Sequence, residues 1–226
     1  MEVTKRLNRQ KTINFLIDYS PALVLVVMVV GNMVFTPHFA SVNTFRNILI
    51  QVTAALLVAL GMTWVIASGG IDISVGSVMA MTSMVSAKLL AIGVFPAILI
   101  GILVGTFSGV VAGFVIAKFK IQPIIVTLPL MIGVRGIAQV INDSKILRFD
   151  SESYVFIGRH RFFGEIPIQI LILILAVGIM YFISNKMAFG RKIQAVGDNE
   201  KASNLVGINT FFVIIGIYAT CAFLAS

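Results

Sequence analysis

Residues 48–68, ILIQVTAALLVALGMTWVIAS, contain no charged side chain. A helix needs about 20 consecutive apolar residues to cross the hydrocarbon core of a bilayer, and this run is long enough. The chain around it has the same character. Of its 226 residues, 58% are hydrophobic and 12% are charged. A soluble domain carries about a quarter charged residues, so the composition places the chain in a membrane. The fold class that follows is all-α, a polytopic transmembrane helical bundle, because lipid leaves helices and closed barrels as the ways to satisfy the backbone.

Working outward, Gly69-Gly70 ends the opening run. A shorter apolar stretch, 75–90, follows, with Lys88 near its end able to reach the interface. On the other side, residues 21–35 form a first span behind a charged start that carries Lys5, Arg6, Arg9 and Lys11, with Asp18 at its edge. That start resembles a secretory signal, but no small-x-small site closes it, so it reads as an uncleaved span. Residues 95–117 are next, with Gly101, Gly105, Gly109 and Gly113 on one helical face. Small residues so spaced let helices approach closely in lipid; a pathway lining is the other reading.

Residues 121–141 form a fifth span holding Pro123, Pro129 and Arg135. A polar loop over 142–165 and a sixth span over 166–183 follow. Residues 211–226 make a last apolar run, short for a full crossing. This gives about seven spans in one transmembrane domain over 1–226, the last incomplete. With the N-terminus inside, ten basic residues fall on the inner side: Lys5, Arg6, Arg9, Lys11, Lys118, Lys120, Lys186, Arg191, Lys192 and Lys201. Six fall outside: Arg46, Lys88, Lys145, Arg148, Arg159 and Arg161. The excess sets the N-terminus in the cytoplasm. It also accounts for the net charge of +8 without nucleic acid as a partner.

The one long polar stretch between apolar runs near the chain end is 185–210, NKMAFGRKIQAVGDNEKASNLVGINT. Its second half reads as a short helix. Asp198 or Asn199 can cap it, Glu200 suits its first turn, and Gly207 offers a left-handed stop. Ala202, Leu205 and Val206 fall at helical spacing and form an apolar face. Such a helix serves as a peg for a soluble partner or lies on the lipid interface.

Residues 69–77, GGIDISVGS, carry the other candidate chemistry. Gly69, Gly70 and Gly76 permit an irregular backbone, and Asp72 or Ser74 can cap the following helix. A carboxylate at a helix break is either such a cap or part of a water-filled gate or pathway. Arg135 similarly divides between snorkelling or an ion pair and a cavity-facing role. Trp64 reads as packing or an interface anchor. The single cysteine, Cys221, and the separated His38 and His160 suggest no metal site, and no cofactor motif occurs. No phosphate loop is present, so ATP hydrolysis by that route falls outside this chain. Few carboxylates lie within spans, which weakens a secondary transporter or channel reading, and no catalytic constellation supports an embedded enzyme.

Three stretches together resemble the permease subunits of ribose/xylose/arabinose/galactose-type ABC importers: residues 61–80, GMTWVIASGGIDISVGSVMA; residues 121–141, IQPIIVTLPLMIGVRGIAQVI; and residues 189–209, FGRKIQAVGDNEKASNLVGIN. Ile73 stands where that family usually has leucine. The resemblance implies a type II, vitamin-B12-importer-like fold and a homo- or heterodimeric pair of permeases in the bacterial cytoplasmic (inner) membrane. It implies cytoplasmic ABC ATPase subunits as partners and a periplasmic or extracellular sugar-binding protein as the donor of substrate. Residues 184–210 become a coupling loop, with Gly190, Arg191, Gly197, Asp198, Asn199, Ala202, Leu205, Val206 and Gly207 as its coupling residues. Asp198 is expected as the helix cap. Gly69, Gly70, Asp72, Ser74, Gly76 and Arg135 become pathway or gate candidates. Autoinducer-2 importers share the pattern, so the substrate class is a monosaccharide or such a relative. Family chains carry about ten spans, so this chain looks C-terminally truncated.

Overall fold

Apolar runs of this length form helices in the computed structural model, which describes residues 17, 19–143, 145, 152–159, 161–162 and 166–226. The chain separates into two units, Met1–Leu49 and Ile50–Ser226. In the first, α1 (Ser20–Phe35) has Pro21 in its opening turn, where a missing N–H costs nothing. The helix α2 (Val42–Ala67) begins where the Ser41 hydroxyl accepts a hydrogen bond from the Thr44 N–H at 3.2 Å.

The second unit continues α2 and adds α3 (Val75–Lys88), α4 (Val94–Phe119), α5 (Pro123–Val140) and α6 (Glu152–Arg159). A two-residue antiparallel ladder, β1 (Arg161–Phe162) with β2 (Ile166–Pro167), leads into α7 (Ile168–Lys186). Then come α8 (Ala188–Asp198), α9 (Glu200–Leu205) and α10 (Thr210–Ala225). Among the described residues α2, α4, α5 and α7 are long and apolar enough to cross a membrane, and α1 and α10 are shorter apolar helices. The protein is an all-α polytopic membrane protein; the ladder is a small addition that joins the expected polar loop to the first two residues of the expected sixth span, whose helix begins at Ile168.

Most of α7 is exposed, and Met180 is its one buried residue. A helix apolar all round with a bare surface is what lipid solvates. The core lies elsewhere. In α10, Ile217, Tyr218, Cys221 and Ala222 are almost wholly buried. They pack on the glycine face of α4: a Cβ on Gly113 would sit 2.7 Å from the Ile215 Cα, and one on Gly109 would strike the Tyr218 carbonyl. Gly101 and Gly105 meet Ser86 and Thr82 of α3 in the same way. The stripe is therefore a helix-packing seam. Gly61 of α2 receives α10 similarly: a Cβ there would sit 2.8 Å from the Cys221 Cα.

Two sets of contacts define the ends of this bundle. At one end the Trp64 indole donates to the Ser184 hydroxyl at 2.8 Å and stacks edge-on with Phe189 at 5.4 Å. Trp64 is 5% exposed, so it is a packing residue. Lys120 pairs with Glu200 at the same end. At the other, Lys88 donates to the Asn142 side chain at 3.3 Å. Hence the C-terminal ends of α2, α4 and α7 gather with α8 and α9.

Candidate functional site

The elbow formed by α8 and α9 starts from close packing. In α8, Gly190, Ile193 and Val196 are buried, while Arg191 and Lys192 face outward. Both glycines of this helix touch other backbone. A Cβ on Gly190 would collide with the Ser184 carbonyl, and one on Gly197 with the Ala67 carbonyl and, at 3.2 Å, the Ser68 Cα. No larger residue lets α8 lie this close to the end of α2.

Asn199 breaks the helix with extended backbone, and its Oδ1 accepts a hydrogen bond from the Ala202 N–H at 2.9 Å. The cap of α9 is thus Asn199, which corrects the expectation for Asp198. Asp198 is still helical, as the last residue of α8, and stands one position too early to reach the third amide of the next helix. Glu200 occupies the first turn, pairs with Lys120 and accepts from the Thr210 hydroxyl at 3.2 Å. Buried Ser203 donates to the Ala195 carbonyl at 2.7 Å, which ties α9 back onto α8.

Gly207 ends α9 at φ 85°, with Ile208 N–H on the Ser203 carbonyl at 3.0 Å and Gly207 N–H on the Asn204 carbonyl at 3.1 Å. This is the Schellman pattern, and it needs the left-handed residue that glycine supplies. Outside this frame stand the apolar residues. Leu205 is 89% exposed and Val206 76%, and Ala202 is exposed beside them. A small apolar tip on a helix held by a cap, an ion pair and a stop can be buried by a partner without reordering.

The break after α2 repeats the device. Gly69 has φ 78°, with its N–H on the Ile66 carbonyl at 2.9 Å and Gly70 N–H on the Val65 carbonyl at 2.9 Å. Asp72, 3% exposed, then accepts from the Ser74 N–H at 2.8 Å and the Ser74 hydroxyl at 2.6 Å. The Ser74 carbonyl receives the first helical bond of α3, from Val78 at 3.0 Å. Buried Thr127 donates to the Ile71 carbonyl at 3.4 Å. Asp72 and Ser74 therefore form the turn that starts α3. Gly76 lies exposed within α3 with open space beside it.

The fold joins the two candidate segments that the sequence separates. Gly69, Gly70, Gly197, Asp198 and Asn199 border one cavity of about 640 Å³ between the end of α2, the α4–α5 turn and the α8–α9 elbow. Arg135 belongs to neither segment and is exposed on α5. Sequence reasoning missed α8 as a helix and missed Ile193, Val196, Ser203 and the Lys120–Glu200 pair. The spacing of Phe189, Ile193 and Val196 carries the helical signal.

Comparison with known proteins gives the family. Residues 44–226 match the family described as branched-chain amino acid transport system / permease component. The chain is 34% identical over 218 residues to the ribose import permease protein RbsC of Haemophilus influenzae, covering 94% of this chain and 67% of the relative. It is 34% identical over 233 residues to RbsC of Bacillus subtilis, covering 100% and 72%. It is 32% identical over 215 residues to the L-arabinose transport system permease protein AraH of Escherichia coli, covering 91% and 65%. The chain thus spans about two thirds of the length of these relatives. No solved structure matches it. With apolar helices of spanning length beneath an elbow of defined form, the chain belongs to this family of transport-system permease components.

Proposed function

We propose that this chain is the permease subunit of an ATP-driven importer that moves a monosaccharide across the bacterial cytoplasmic membrane. The relatives' ribose and arabinose permeases support the substrate class. Lys118, Lys120, Lys186, Arg191, Lys192 and Lys201 lie at the elbow end of the bundle, so the excess of basic residues supports a cytoplasmic elbow. A soluble ATPase docks there, a second permease copy completes the pathway, and a sugar-binding protein delivers the substrate from the opposite side.

The observation that carries the docking assignment is the exposure of Leu205 and Val206 at the tip of a rigidly held helix. Burying one such side chain contributes about 1.5–3 kcal/mol. When ATP brings two ATPase subunits together, the elbows travel with them. Gly197 rests on Ala67 and Ser68, so that displacement reaches the Gly69–Ser74 break directly. Docking affinity alone shifts no equilibrium; the elbow must make different contacts in the outward and inward states.

The test is Leu205→Asp in the assembled transporter. It should weaken docking roughly 10- to 100-fold, from the lost burial and the added charge. ATP-dependent sugar uptake should fall while the subunit remains in the membrane. Uptake equal to wild type would refute the docking assignment.

A further inference from the structure

The end of α7 carries groups that the docking and gating roles leave unused. This helix exposes apolar surface along most of its length. In its last two turns the character changes. Tyr181 and Phe182 are 65% and 58% exposed, and exposed Lys186 stands one turn beyond Phe182 on the same face. Aromatic rings collect at the level of lipid headgroups, and a lysine beyond them lays its stem along the apolar boundary with its ammonium among the phosphates. The membrane interface therefore crosses α7 between Tyr181 and Lys186.

The fold brings two more cations to that level. After the extended residue Met187 the chain turns back, and Gly190 lets α8 rest on the backbone of Ser184. Trp64, bonded to the Ser184 hydroxyl and stacked on Phe189, fixes this corner from the side of α2. The first turns of α8 thus lie beside the last turn of α7. Gly190 and Ile193 are buried there, and Arg191 and Lys192 are exposed. Among the described residues Lys186, Arg191 and Lys192 form no ion pair. The carboxylates of the elbow stand elsewhere: Glu200 is paired with Lys120, and Asp198 lies about two turns along α8 from Arg191. Three uncompensated cations at headgroup depth, next to a face that lipid solvates, are complementary to a phosphate. An acidic protein surface offers the same charge, but the exposed rings of Tyr181 and Phe182 favour lipid.

We propose that the α7–α8 corner is a binding site for an anionic phospholipid of the surrounding bilayer. Lys186, Arg191 and Lys192 supply the charge, and Tyr181 and Phe182 supply the apolar contact. A lipid held there anchors the α7 side of the elbow and leaves the tip of α9 free. This inference needs the membrane fold alone and rests neither on the importer reading nor on which face of the membrane the elbow occupies.

Native mass spectrometry of the purified permease in neutral detergent, titrated separately with phosphatidylglycerol and phosphatidylcholine, tests it. Each cation near an anionic headgroup contributes about fivefold, so phosphatidylglycerol should bind about 100-fold more tightly than phosphatidylcholine. Lys186→Gln, Arg191→Gln and Lys192→Gln should each weaken phosphatidylglycerol binding about fivefold, and the triple variant should lose the preference. Lys201→Gln removes the same charge from α9 and should bind phosphatidylglycerol as the wild type does. All four side chains are exposed, so none of these changes opens the core. Equal affinity for the two lipids, a preference that survives in the triple variant, or an equal loss in Lys201→Gln would overturn the proposal. A preference that survives while a copurifying ATPase is lost from the triple variant would assign the surface to that protein instead. The lipid titration involves no ATPase, so the Leu205→Asp result stands or falls separately.

Discussion

A one-residue difference at the elbow decides which side chain holds α9. Asn199 accepts the Ala202 amide at 2.9 Å, and Asp198 remains in α8. Asn199→Ala should cost about 1 kcal/mol of stability, and Asp198→Ala distinctly less, read by thermal unfolding in detergent. The sequence offered two adjacent capping residues, and nothing in their types separates them. What separates them is where α8 ends, at the extended backbone of Asn199, just past the contact of Gly197 with Ala67. That contact makes its own prediction. Gly197→Ala forces a Cβ into a backbone carbonyl and should destabilise by about 1–3 kcal/mol. Gly76→Ala points into open space at ordinary backbone angles and should be neutral or stabilise by about 0.5–1 kcal/mol. Equal effects of the two substitutions would contradict the packing described for α8.

At the scale of elements, the glycine face of α4 was legible from its four-residue spacing, but its partners were not. Spacing shows that one face is small; it carries no information about which helix fills it. The structure assigns that role to α10 and α3, so Gly109→Ala should lower the unfolding temperature through the clash with Tyr218 and Ala222. Gly133→Ala on α5, with nothing near it, should leave the temperature unchanged or raise it slightly. The helix α8 escaped sequence reading for a related reason. Gly190 and Gly197 look like loop residues until close backbone contact explains them, and Arg191 and Lys192 interrupt the apolar pattern. Phe189, Ile193 and Val196 nevertheless keep helical spacing, and both Ile193 and Val196 are buried. At the break before α3, by contrast, the residue types of Gly69, Gly70, Asp72 and Ser74 left a turn or cap beside a gate or pathway lining; the hydrogen bonds show Asp72 closing a turn onto Ser74, with no side-chain cap on α3 itself.

For the whole molecule, hydropathy was enough to find the apolar helices, since lipid imposes one requirement on every span. The pairing of distant segments needed the structure. Residues 68–70 and 196–201 border one cavity although more than a hundred residues of chain separate them. Their proximity places the α8–α9 elbow directly on the end of α2, which is the route that the proposed coupling to an ATPase would use. The most direct test is recovery of partners with the tagged permease from its own membranes in mild detergent, followed by mass spectrometry. The account predicts that an ATPase bearing a phosphate loop is recovered with the wild-type protein and lost with Leu205→Asp. Full recovery with Leu205→Asp, or no ATPase with the wild-type protein, would contradict it.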